Sequence, residues 1–202
     1  MKQPYHERVG ETIMKITMIR HFATAGNLAK RYIGRTDEPL CEEGESLLRQ
    51  LSYPKVEAVF ASPMKRCVKT ANLIYPELSP TLCSGLRECD FGTFENKNYL
   101  ELKDNNDYQL WIDSNGLLPF PEGENLTDFK KRTIKSFKKV INQSRDSGYK
   151  SIALVVHGGT IMSILEHYSF PRKDYYHWQV KNGFYYTMDY EKGRLIHICG
   201  IH

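Results

Sequence analysis

The chain has 202 residues, of which 41% are hydrophobic and 26% charged, and its formal net charge at pH 7 is +4. This composition is typical of a soluble globular protein, and the length suits one sizeable domain. It argues against a nucleic-acid-binding module, because the positive excess is small and no Arg/Lys stripe alternates with aromatic residues. It also argues against a membrane protein, because no apolar run is long enough to span a bilayer.

The cysteines are Cys41, Cys67, Cys83, Cys89 and Cys199. Their number is odd and no C-x-x-C pair occurs, so neither a disulfide framework nor a zinc site is indicated. Reduced thiols in the cytoplasm are the simplest interpretation. Residues 1–12 are polar and lack the apolar centre of a signal peptide. We interpret them as an N-terminal extension and residues 13–202 as a single domain.

The first predicted strand runs from Ile13 to Ile19 and is followed directly by Arg20 and His21. Ligands of open α/β sheets bind outside the carboxyl ends of the strands. Arg20 offers a planar fork of donors for phosphate or carboxylate, and His21 offers a nitrogen that can be neutral and nucleophilic near pH 7. On this stretch alone, the alternative is that both side chains are simply solvated.

The next segments predict a loop and then a helix. Residues 28–37 lack periodicity, and Arg35 within them is equally compatible with a substrate contact and with a surface salt bridge. A helix is predicted over residues 42–51, because acidic residues in its first turn suit the helix dipole. Its buried face is predicted to consist of Leu47, Leu48 and Leu51.

A second strand is predicted over residues 57–61 and a helix over residues 64–75, with Ser62 as the candidate N-cap. Pro63 suits a helix start because its φ angle is fixed. Arg66 then falls in the first turn of the helix, near the carboxyl edge of the sheet. A third strand, at residues 81–84, leads into a loop-like stretch that carries Glu88.

The predicted elements between that loop and the last strands are two short helices within 99–111, broken at 104–107, a loop over 115–121 and a long helix over 126–143. The clearest buried strand spans residues 151–156 and ends in His157, Gly158 and Gly159. A helix over 161–167 and a hairpin formed by 184–189 and 195–198 complete the chain. Alternating strands and helices predict an α/β fold whose sheet is mostly parallel with right-handed crossovers.

Six ordered blocks of residues resemble the motifs of a known family. The blocks are Arg20-His21 with Thr24 and Asn27, Gly34-Arg35-Thr36-Asp37-x-Pro39-Leu40 with Glu42-x-Gly44, Ser62-Pro63-x-x-Arg66 with Thr70-Ala71, Leu86-x-Glu88 with Phe91-Gly92, Pro121-x-Gly123-Glu124-Asn125, and Val156-His157-Gly158-Gly159-x-Ile161. The family is the histidine phosphatases, or phosphoglycerate mutase-like superfamily. The resemblance implies a three-layer α/β/α sandwich, a phosphohistidine intermediate, and neither a metal nor another cofactor.

The sequence departs from the family pattern at three positions, where Phe22 replaces a glycine, Cys41 a threonine and Cys67 an alanine. None of these changes removes a group that phosphoryl transfer needs. Phe22 either forms part of a substrate wall or packs inside the protein, and we favour packing. Other signatures of phosphate chemistry are missing, since the sequence contains neither a P-loop motif nor a cysteine followed six positions later by arginine.

The resemblance and the residue chemistry together predict the catalytic roles. His21 is the expected nucleophile, with its pKa lowered by the neighbouring cations Arg20 and Arg66. Arg20, Arg66 and His157 are expected to stabilise the charge on the transferring group. Glu88 is the expected general acid, which later activates water. The alternatives are a structural role for His157 and an exposed, idle Glu88.

The predicted substrate contacts are the side chains of Thr24 and Asn27, the N–H of Gly158, and Arg35. The expected partner is a small phosphorylated metabolite, with no nucleic acid and no membrane. A homodimer is a possible assembly. Five aromatic residues are interpreted either as core or as the lining of an apolar leaving-group pocket: Phe22, Phe91, Phe94, Tyr99 and Trp111.

Only about thirty residues separate Phe91 from Pro121, which leaves little chain to cover a site and keep water from a phosphoenzyme. We therefore expect a phosphomonoester hydrolase rather than a mutase. The size and the block from Gly34 to Leu40 are similar to α-ribazole phosphatases, so α-ribazole 5′-phosphate is a candidate substrate. The alternatives are a phosphoglycerate mutase and a non-catalytic phosphate-binding relative.

Overall fold

The structure, a computed structural model, describes residues 13–201. The extension predicted for residues 1–12 lies outside the described residues, as does His202. The strands are β1 (Met14–Arg20), β2 (Ala58–Ala61), β3 (Thr81–Leu82), β4 (Ser151–Val156), β5 (Tyr185–Glu191) and β6 (Arg194–Ile201). The α-helices are α1 (Ala25–Leu28), α2 (Glu42–Ser46), α3 (Lys65–Ile74), α4 (Tyr99–Leu102), α5 (Asn106–Asp113), α6 (Leu126–Asp146) and α7 (Gly158–Tyr168).

The strands form one six-stranded sheet in the order β3-β2-β4-β1-β5-β6. The first four of these are parallel, whereas β5 runs antiparallel to β1 and forms a hairpin with β6. This mostly parallel α/β architecture confirms the fold class predicted from the sequence. The central pair, β1 and β4, is the pair whose carboxyl ends carry Arg20-His21 and His157.

Alternating side chains of the central strands point to opposite faces of the sheet, and each face is covered by helices. On one face, the strand residues Ile16, Met18 and Leu154 pack with side chains of α6 and α7 in the largest core cluster. On the other, Ile19 and Val155 pack with the α3 residues Cys67 and Ala71. The sheet therefore lies between two helical layers, as the predicted three-layer sandwich requires.

A smaller core lies beside the carboxyl edge of the sheet and organises the segment between Cys89 and Phe129. We call it the satellite core; its buried members are Cys89, Phe94, Leu102, Tyr108, Phe120 and Phe129. The two short helices predicted for this segment are present as α4 and α5, and the break between them falls at residues 103–105. The satellite core gives this stretch a fixed position over the sheet edge.

Helix α2 is shorter than predicted. It ends at Ser46 and continues only as a 3₁₀ turn, Leu47–Arg49. The prediction that Leu47, Leu48 and Leu51 form a buried face is wrong, because all three are half-buried. The helix instead approaches its neighbour through Gly44, where a Cβ atom would lie 2.3 Å from the carbonyl oxygen of Ala23.

The starts of two helices also differ from the prediction. Helix α3 begins at Lys65 with Met64 at the N-cap, so the assignment of Ser62 as N-cap is wrong. A carboxylate oxygen of Asp37 accepts the Lys65 N–H at 2.8 Å and supplies the missing cap from a distant loop. Helix α7 begins at Gly158 rather than at residue 161, and His157, in an extended conformation after β4, is its N-cap. Among residues 13–201, no helix combines the length and apolar character needed to cross a bilayer.

Candidate active site

Two histidines meet at the carboxyl ends of neighbouring parallel strands. His21 follows β1 and His157 follows β4, and Arg20 and Val156 are paired in the register of these strands. The main-chain N–H of His21 donates to the carbonyl of Val156 at 2.9 Å, so the ladder extends one residue into the site. The imidazole rings lie 5.2 Å apart, centre to centre, at an angle of 69°. The sheet register therefore fixes their separation.

The His21 imidazole is held neutral and in one tautomer. Its Nδ1 lies 2.6 Å from the carbonyl oxygen of Phe22, which can only accept, so Nδ1 carries the proton. This leaves the lone pair on Nε2. The pKa of His21 is well below its ordinary value, mainly because the ring is buried and secondarily because of Arg66 and Arg20. The predicted direction is confirmed, but desolvation has more influence than the cations.

The Arg66 guanidinium is fully buried under a loop. It donates to the carbonyl oxygens of Thr36 at 2.7 Å, Gly34 at 2.8 Å and Ile33 at 3.3 Å. Among the described residues its Nε has no hydrogen-bond partner. Arg66 lies in the first turn of α3, as predicted, and the loop carbonyls fix its position behind the histidines.

The Arg20 guanidinium lies at the boundary between these buried groups and an open pocket. Its NH1 donates to the carbonyl of Val180 at 2.8 Å, whereas its Nε, also buried, has no partner among the described residues. A Cβ atom on Gly158 would lie 3.5 Å from this guanidinium. A buried donor without a partner is costly to leave unsatisfied, and an anion bound beside Arg20 would satisfy it.

The His157 ring is fixed by side chains of the second strand-to-helix connection. Its Nε2 lies 2.8 Å from the hydroxyl oxygen of Ser62 and 3.5 Å from Sγ of Cys67. Burial, followed by the charge of Arg66, lowers the pKa of His157 well below its ordinary value. His157 is therefore a neutral neighbour of His21, and the Ser62 hydroxyl contacts this ring at 2.8 Å while it accepts the Met64 N–H only at 3.5 Å.

The Glu88 carboxyl lines the pocket and is half-buried, next to the start of α7. One oxygen accepts the Gly159 N–H at 3.0 Å and the other accepts the Cys89 N–H at 3.1 Å. Burial raises the pKa of Glu88 above its ordinary value, although both N–H groups and the cations Arg20 and Arg66 oppose that rise. A carboxyl whose pKa is raised stays protonated to higher pH than usual, which suits a general acid beside the guanidinium of Arg20.

The loop that carries Glu88 is held by Arg132 of α6. Its NH2 donates to the carbonyl of Glu88 at 2.8 Å, and its NH1 to the carbonyls of Arg87 at 2.7 Å and Gly85 at 3.1 Å. The same guanidinium pairs with both carboxylate oxygens of Glu124, at 2.6 and 2.7 Å. The sequence alone does not single out Arg132, because it is one of several basic residues in α6.

Two of the predicted substrate contacts, Thr24 and Asn27, lie at the start of helix α1. Thr24 and Asn27 form a capping box around α1, in which the Thr24 hydroxyl accepts the Asn27 N–H at 3.2 Å. The Asn182 amide donates to Asn27 Oδ1 at 3.1 Å and to the His21 carbonyl at 3.0 Å. Thr24 and Asn27 thus shape the nucleophile loop, and a direct phosphate contact from either stays a prediction.

Of the two alternatives left open for Arg35, the structure shows the salt bridge, which joins NH1 to Asp90 at 3.4 Å with the Arg35 side chain 63% exposed. Gly158 lines the pocket at the first position of α7. The main-chain N–H of Gly158 has no preceding carbonyl within the helix to donate to. It is therefore available to donate a hydrogen bond to an anion.

The pocket beside these groups has a volume of about 710 Å³. Its polar end is formed by Arg20, Glu88, Gly158 and Gly159, with Gln179 and Lys181 also in the lining. Its remaining lining is largely aromatic and aliphatic: Tyr32, Cys89, Phe91, Trp111, Gly116, Phe120, Leu126, Met162, Tyr175, Tyr176 and Val180. The pocket can therefore hold an anionic group at one end and a large apolar group at the other.

The sequence left open whether five aromatic residues belong to the core or to the pocket lining, and the structure assigns them differently. Phe91 and Trp111 line the pocket. Phe22 and Phe94 are fully buried, with the Phe22 ring edge-on to Tyr53, so Phe22 packs as we favoured. Tyr99 is 54% exposed and lies outside the pocket lining. Within residues 13–201, His, Cys, Asp and Glu side chains do not converge in any group of three that could hold a metal ion.

A neutral histidine, two arginines, a second histidine and a carboxyl thus lie together at one sheet edge, an arrangement suited to phosphoryl transfer. A sequence profile described as the histidine phosphatase superfamily, branch 1, matches residues 16–198. The chain belongs to the histidine phosphatase superfamily.

Individual relatives include both phosphatases and mutases. A 2,3-bisphosphoglycerate-dependent phosphoglycerate mutase of Rhizobium etli is 30% identical over 164 residues, which cover 74% of this chain and 77% of the mutase. A broad-specificity phosphatase of Saccharomyces cerevisiae is 29% identical over 176 residues, or 81% and 74% of the two chains. The crystal structure of the α-ribazole phosphatase from Shigella flexneri superposes with a TM-score of 0.74 at 23% identity, over 90% and 93% of the two chains. The activity is thus of the phosphatase or mutase type.

Proposed function

We propose that this protein hydrolyses small phosphomonoesters through a phosphohistidine at His21. The observation that carries the proposal is the neutral His21 ring, with its Nε2 lone pair available, beside two guanidinium groups whose Nε atoms lack partners among the described residues. Neutral imidazole is a nucleophile and the guanidinium groups can bind the oxygens of a transferring phosphoryl group.

In the first step, Nε2 of His21 attacks phosphorus while the bond to the leaving oxygen breaks and Glu88 transfers its proton to that oxygen. The Nδ1–H bond to the Phe22 carbonyl stabilises the positive charge that develops on the ring. In the second step, the Glu88 carboxylate accepts a proton from water, whose oxygen attacks phosphorus as the P–N bond breaks. Inorganic phosphate leaves, and both His21 and Glu88 return to their starting forms.

The pocket lining favours a phosphatase over a mutase. Phosphoglycerates carry a carboxylate beside the phosphate, and bisphosphoglycerate carries a second phosphate as well. A site that holds them needs several cations around the anionic groups. Here Arg20 and Lys181 are the cations of the lining, and most of the remaining surface is aromatic or aliphatic. The mutase remains the alternative because the Rhizobium etli mutase is a relative at 30% identity.

Within this proposal α-ribazole 5′-phosphate is a candidate substrate. We also propose that the protein is cytoplasmic. The free thiols of Cys41, Cys67, Cys83, Cys89 and Cys199 fit a reducing compartment. Homodimer formation stays a prediction from the sequence.

The purified chain is expected to release inorganic phosphate from simple phosphomonoesters, and to do so in excess EDTA because the proposed chemistry needs no metal. Phosphate release and the interconversion of 2- and 3-phosphoglycerate would be measured side by side. Fast interconversion stimulated by 2,3-bisphosphoglycerate, with little free phosphate, would reverse the assignment. Activity lost in EDTA and restored by Mg²⁺ or Mn²⁺ would contradict the metal-independent mechanism.

Arg132→Met is expected to reduce turnover of benzyl phosphate by about tenfold or more, because a displacement of about 1 Å of the acid can cost up to 10²-fold. The loss should be small for 4-nitrophenyl phosphate, whose leaving group needs little protonation. Arg132→Lys, which keeps the charge but not the fork to Glu124, should recover part of the loss. The exposed Lys135 on the same helix provides the control, Lys135→Met. Equal losses on the two substrates would show that Arg132 does not position Glu88.

A further inference from the structure

The apolar end of the pocket is built mainly from aromatic rings. Six of them line it: Tyr32, Phe91, Trp111, Phe120, Tyr175 and Tyr176. A pocket of about 710 Å³ is large enough for a ligand of drug-like size and exceeds what a phosphoglycerate fills. Phosphoryl transfer by itself does not require an aromatic lining. We therefore ask which leaving group these rings would bind.

One wall of the pocket consists of rings that are fixed by one another. Phe91 contacts Tyr32 and Phe120 edge-on, with centroids 5.2 and 5.0 Å away. Trp111 packs against Phe120 at 5.2 Å and stacks on Tyr108 at an angle of 19°. These rings belong to or pack on the satellite core, so the wall is formed before any ligand binds. A preformed apolar wall binds a rigid partner with little loss of side-chain entropy.

The second wall comes from a 3₁₀ turn, Tyr175–Trp178, which follows α7. The Tyr175 and Tyr176 rings are perpendicular, with centroids 5.1 Å apart. Nζ of Lys130 lies 4.5 Å from the Tyr175 ring centre and fixes that ring from helix α6. This wall therefore also presents ring surface to the pocket.

The two walls meet at Gly116. Its φ angle is +74°, and a Cβ atom there would lie 3.2 Å from both the Trp111 ring and the Tyr176 hydroxyl. Any larger residue would separate the walls or strain the backbone. The space between the rings is thus bounded at one end by Gly116 and opens toward Arg20 and Glu88 at the other.

The charge distribution along the pocket opposes a second anionic group. Arg20 lies at the phosphate end, and the other lining cation, Lys181, is exposed. Lys130 contacts the Tyr175 ring but is not part of the pocket lining, so Arg20 and Lys181 are the cations of the lining among the described residues. Aromatic partners gain stabilisation from offset or edge-to-face contacts beyond the apolar area that they bury.

We infer that the site selects phosphomonoesters of alcohols that carry a flat, uncharged aromatic or heteroaromatic ring close to the ester oxygen. The inference rests on the proposed phosphatase function and specifies its substrate class. The phosphate contacts Arg20 and its buried neighbours, the ester oxygen lies at Glu88, and the ring lies between the wall of Phe91, Trp111 and Phe120 and the Tyr175–Trp178 turn.

The test compares four primary phosphomonoesters: 2-naphthylmethyl, benzyl, cyclohexylmethyl and ethyl phosphate. Their alcohols have similar acidity, so differences in kcat/KM report on binding of the leaving group rather than on its reactivity. We expect benzyl phosphate to exceed ethyl phosphate by on the order of 10²-fold, because the buried ring adds a large apolar area. It should exceed cyclohexylmethyl phosphate several-fold, because only the flat ring makes ring-to-ring contacts.

Trp111→Leu is expected to lower the benzyl-to-ethyl ratio by about tenfold, since it removes a ring from the fixed wall. Tyr99→Leu, at an exposed ring outside the pocket, should leave the ratio unchanged. If Trp111→Leu does not fold, competitive inhibition of the wild-type protein tests the preference for a flat ring directly. Benzyl alcohol is then expected to inhibit more strongly than cyclohexylmethanol.

The four substrates distinguish failure of the ring preference from failure of the phosphatase function. If phosphate is released from all four esters with similar kcat/KM, the ring preference is wrong and the phosphatase function stands. If cyclohexylmethyl phosphate equals benzyl phosphate, the pocket is merely apolar and the inference of a flat ring is overturned. If none of the esters is hydrolysed, the proposed function itself fails and the inference fails with it.

Discussion

His21→Ala is expected to abolish formation of the phosphoenzyme and turnover together, with a loss of at least about 10⁴-fold in kcat, as is common when a covalent nucleophile is removed. The Nε2 lone pair of His21 is oriented by its Nδ1–H bond to the Phe22 carbonyl. The other imidazole of the site, His157, is occupied at Nε2 by Ser62, so it is not placed to take over the attack.

Rapid-quench labelling with a ³²P-phosphomonoester measures this result, since phosphohistidine is acid-labile and base-stable. His167→Ala is the matched control, because His167 lies in the last turn of α7, away from the pocket lining. The His167→Ala protein should be labelled covalently, and should turn over the phosphomonoester, as the wild-type protein does. Covalent label on the His21→Ala protein would show that another residue is the nucleophile.

Glu88→Gln is expected to reduce kcat/KM for benzyl phosphate by about 10²–10⁴-fold, the usual cost of losing a general acid. Glutamine keeps the shape and the acceptor for the Gly159 N–H, but it cannot give or take a proton. The loss in kcat/KM should be much smaller for 4-nitrophenyl phosphate. Because the same carboxyl activates water, the variant should accumulate phosphohistidine from this aryl ester.

Asp90→Asn is the matched control for the Glu88 substitution. Asp90 pairs with Arg35 and accepts the Gly92 N–H at 2.9 Å, so its carboxylate has a structural role. Glu95 is similarly engaged, since it accepts the N–H groups of Gly34 and Arg35. If Glu88→Gln hydrolysed benzyl phosphate at the wild-type rate while Asp90→Asn did not, Asp90 would be the acid.

The pH dependence of kcat/KM for benzyl phosphate gives a further readout of the same prediction. Burial raises the pKa of Glu88, so the protonated form that donates is present below that pKa and is lost as pH rises through it. Burial also lowers the pKa of His21, so the neutral nucleophile persists to lower pH than usual. The decline at high pH should therefore vanish in Glu88→Gln, and should already be weak for wild-type protein acting on 4-nitrophenyl phosphate.

The elements that position the site could be predicted from the sequence because their signals are local. The apolar runs before Arg20-His21 and before His157 identified β1 and β4, and the placement of Arg66 followed from the adjoining helix. The family resemblance then gave the order of the remaining blocks. These signals needed no knowledge of which residues meet in space.

The features that could not be predicted depend on contacts between distant segments. Arg132 binds the Glu88 loop across a sequence separation of 44 residues, and nothing in the pattern of α6 marks it apart from its basic neighbours. Similarly, Asp37 replaces Ser62 as the cap of α3 from a loop 28 residues away. The dominance of burial over cation charge in the pKa of His21 also required the packed structure.

The hydrogen bond between the His21 N–H and the Val156 carbonyl has a practical consequence for structure determination. The backbone of the site is held by the β1–β4 ladder and does not depend on the imidazole that reacts. The His21→Ala protein should therefore keep Arg20, Arg66, His157 and Glu88 in place around an unreactive gap. Such a protein can be crystallised with an intact ester, and the electron density would then show the leaving group in its pocket directly.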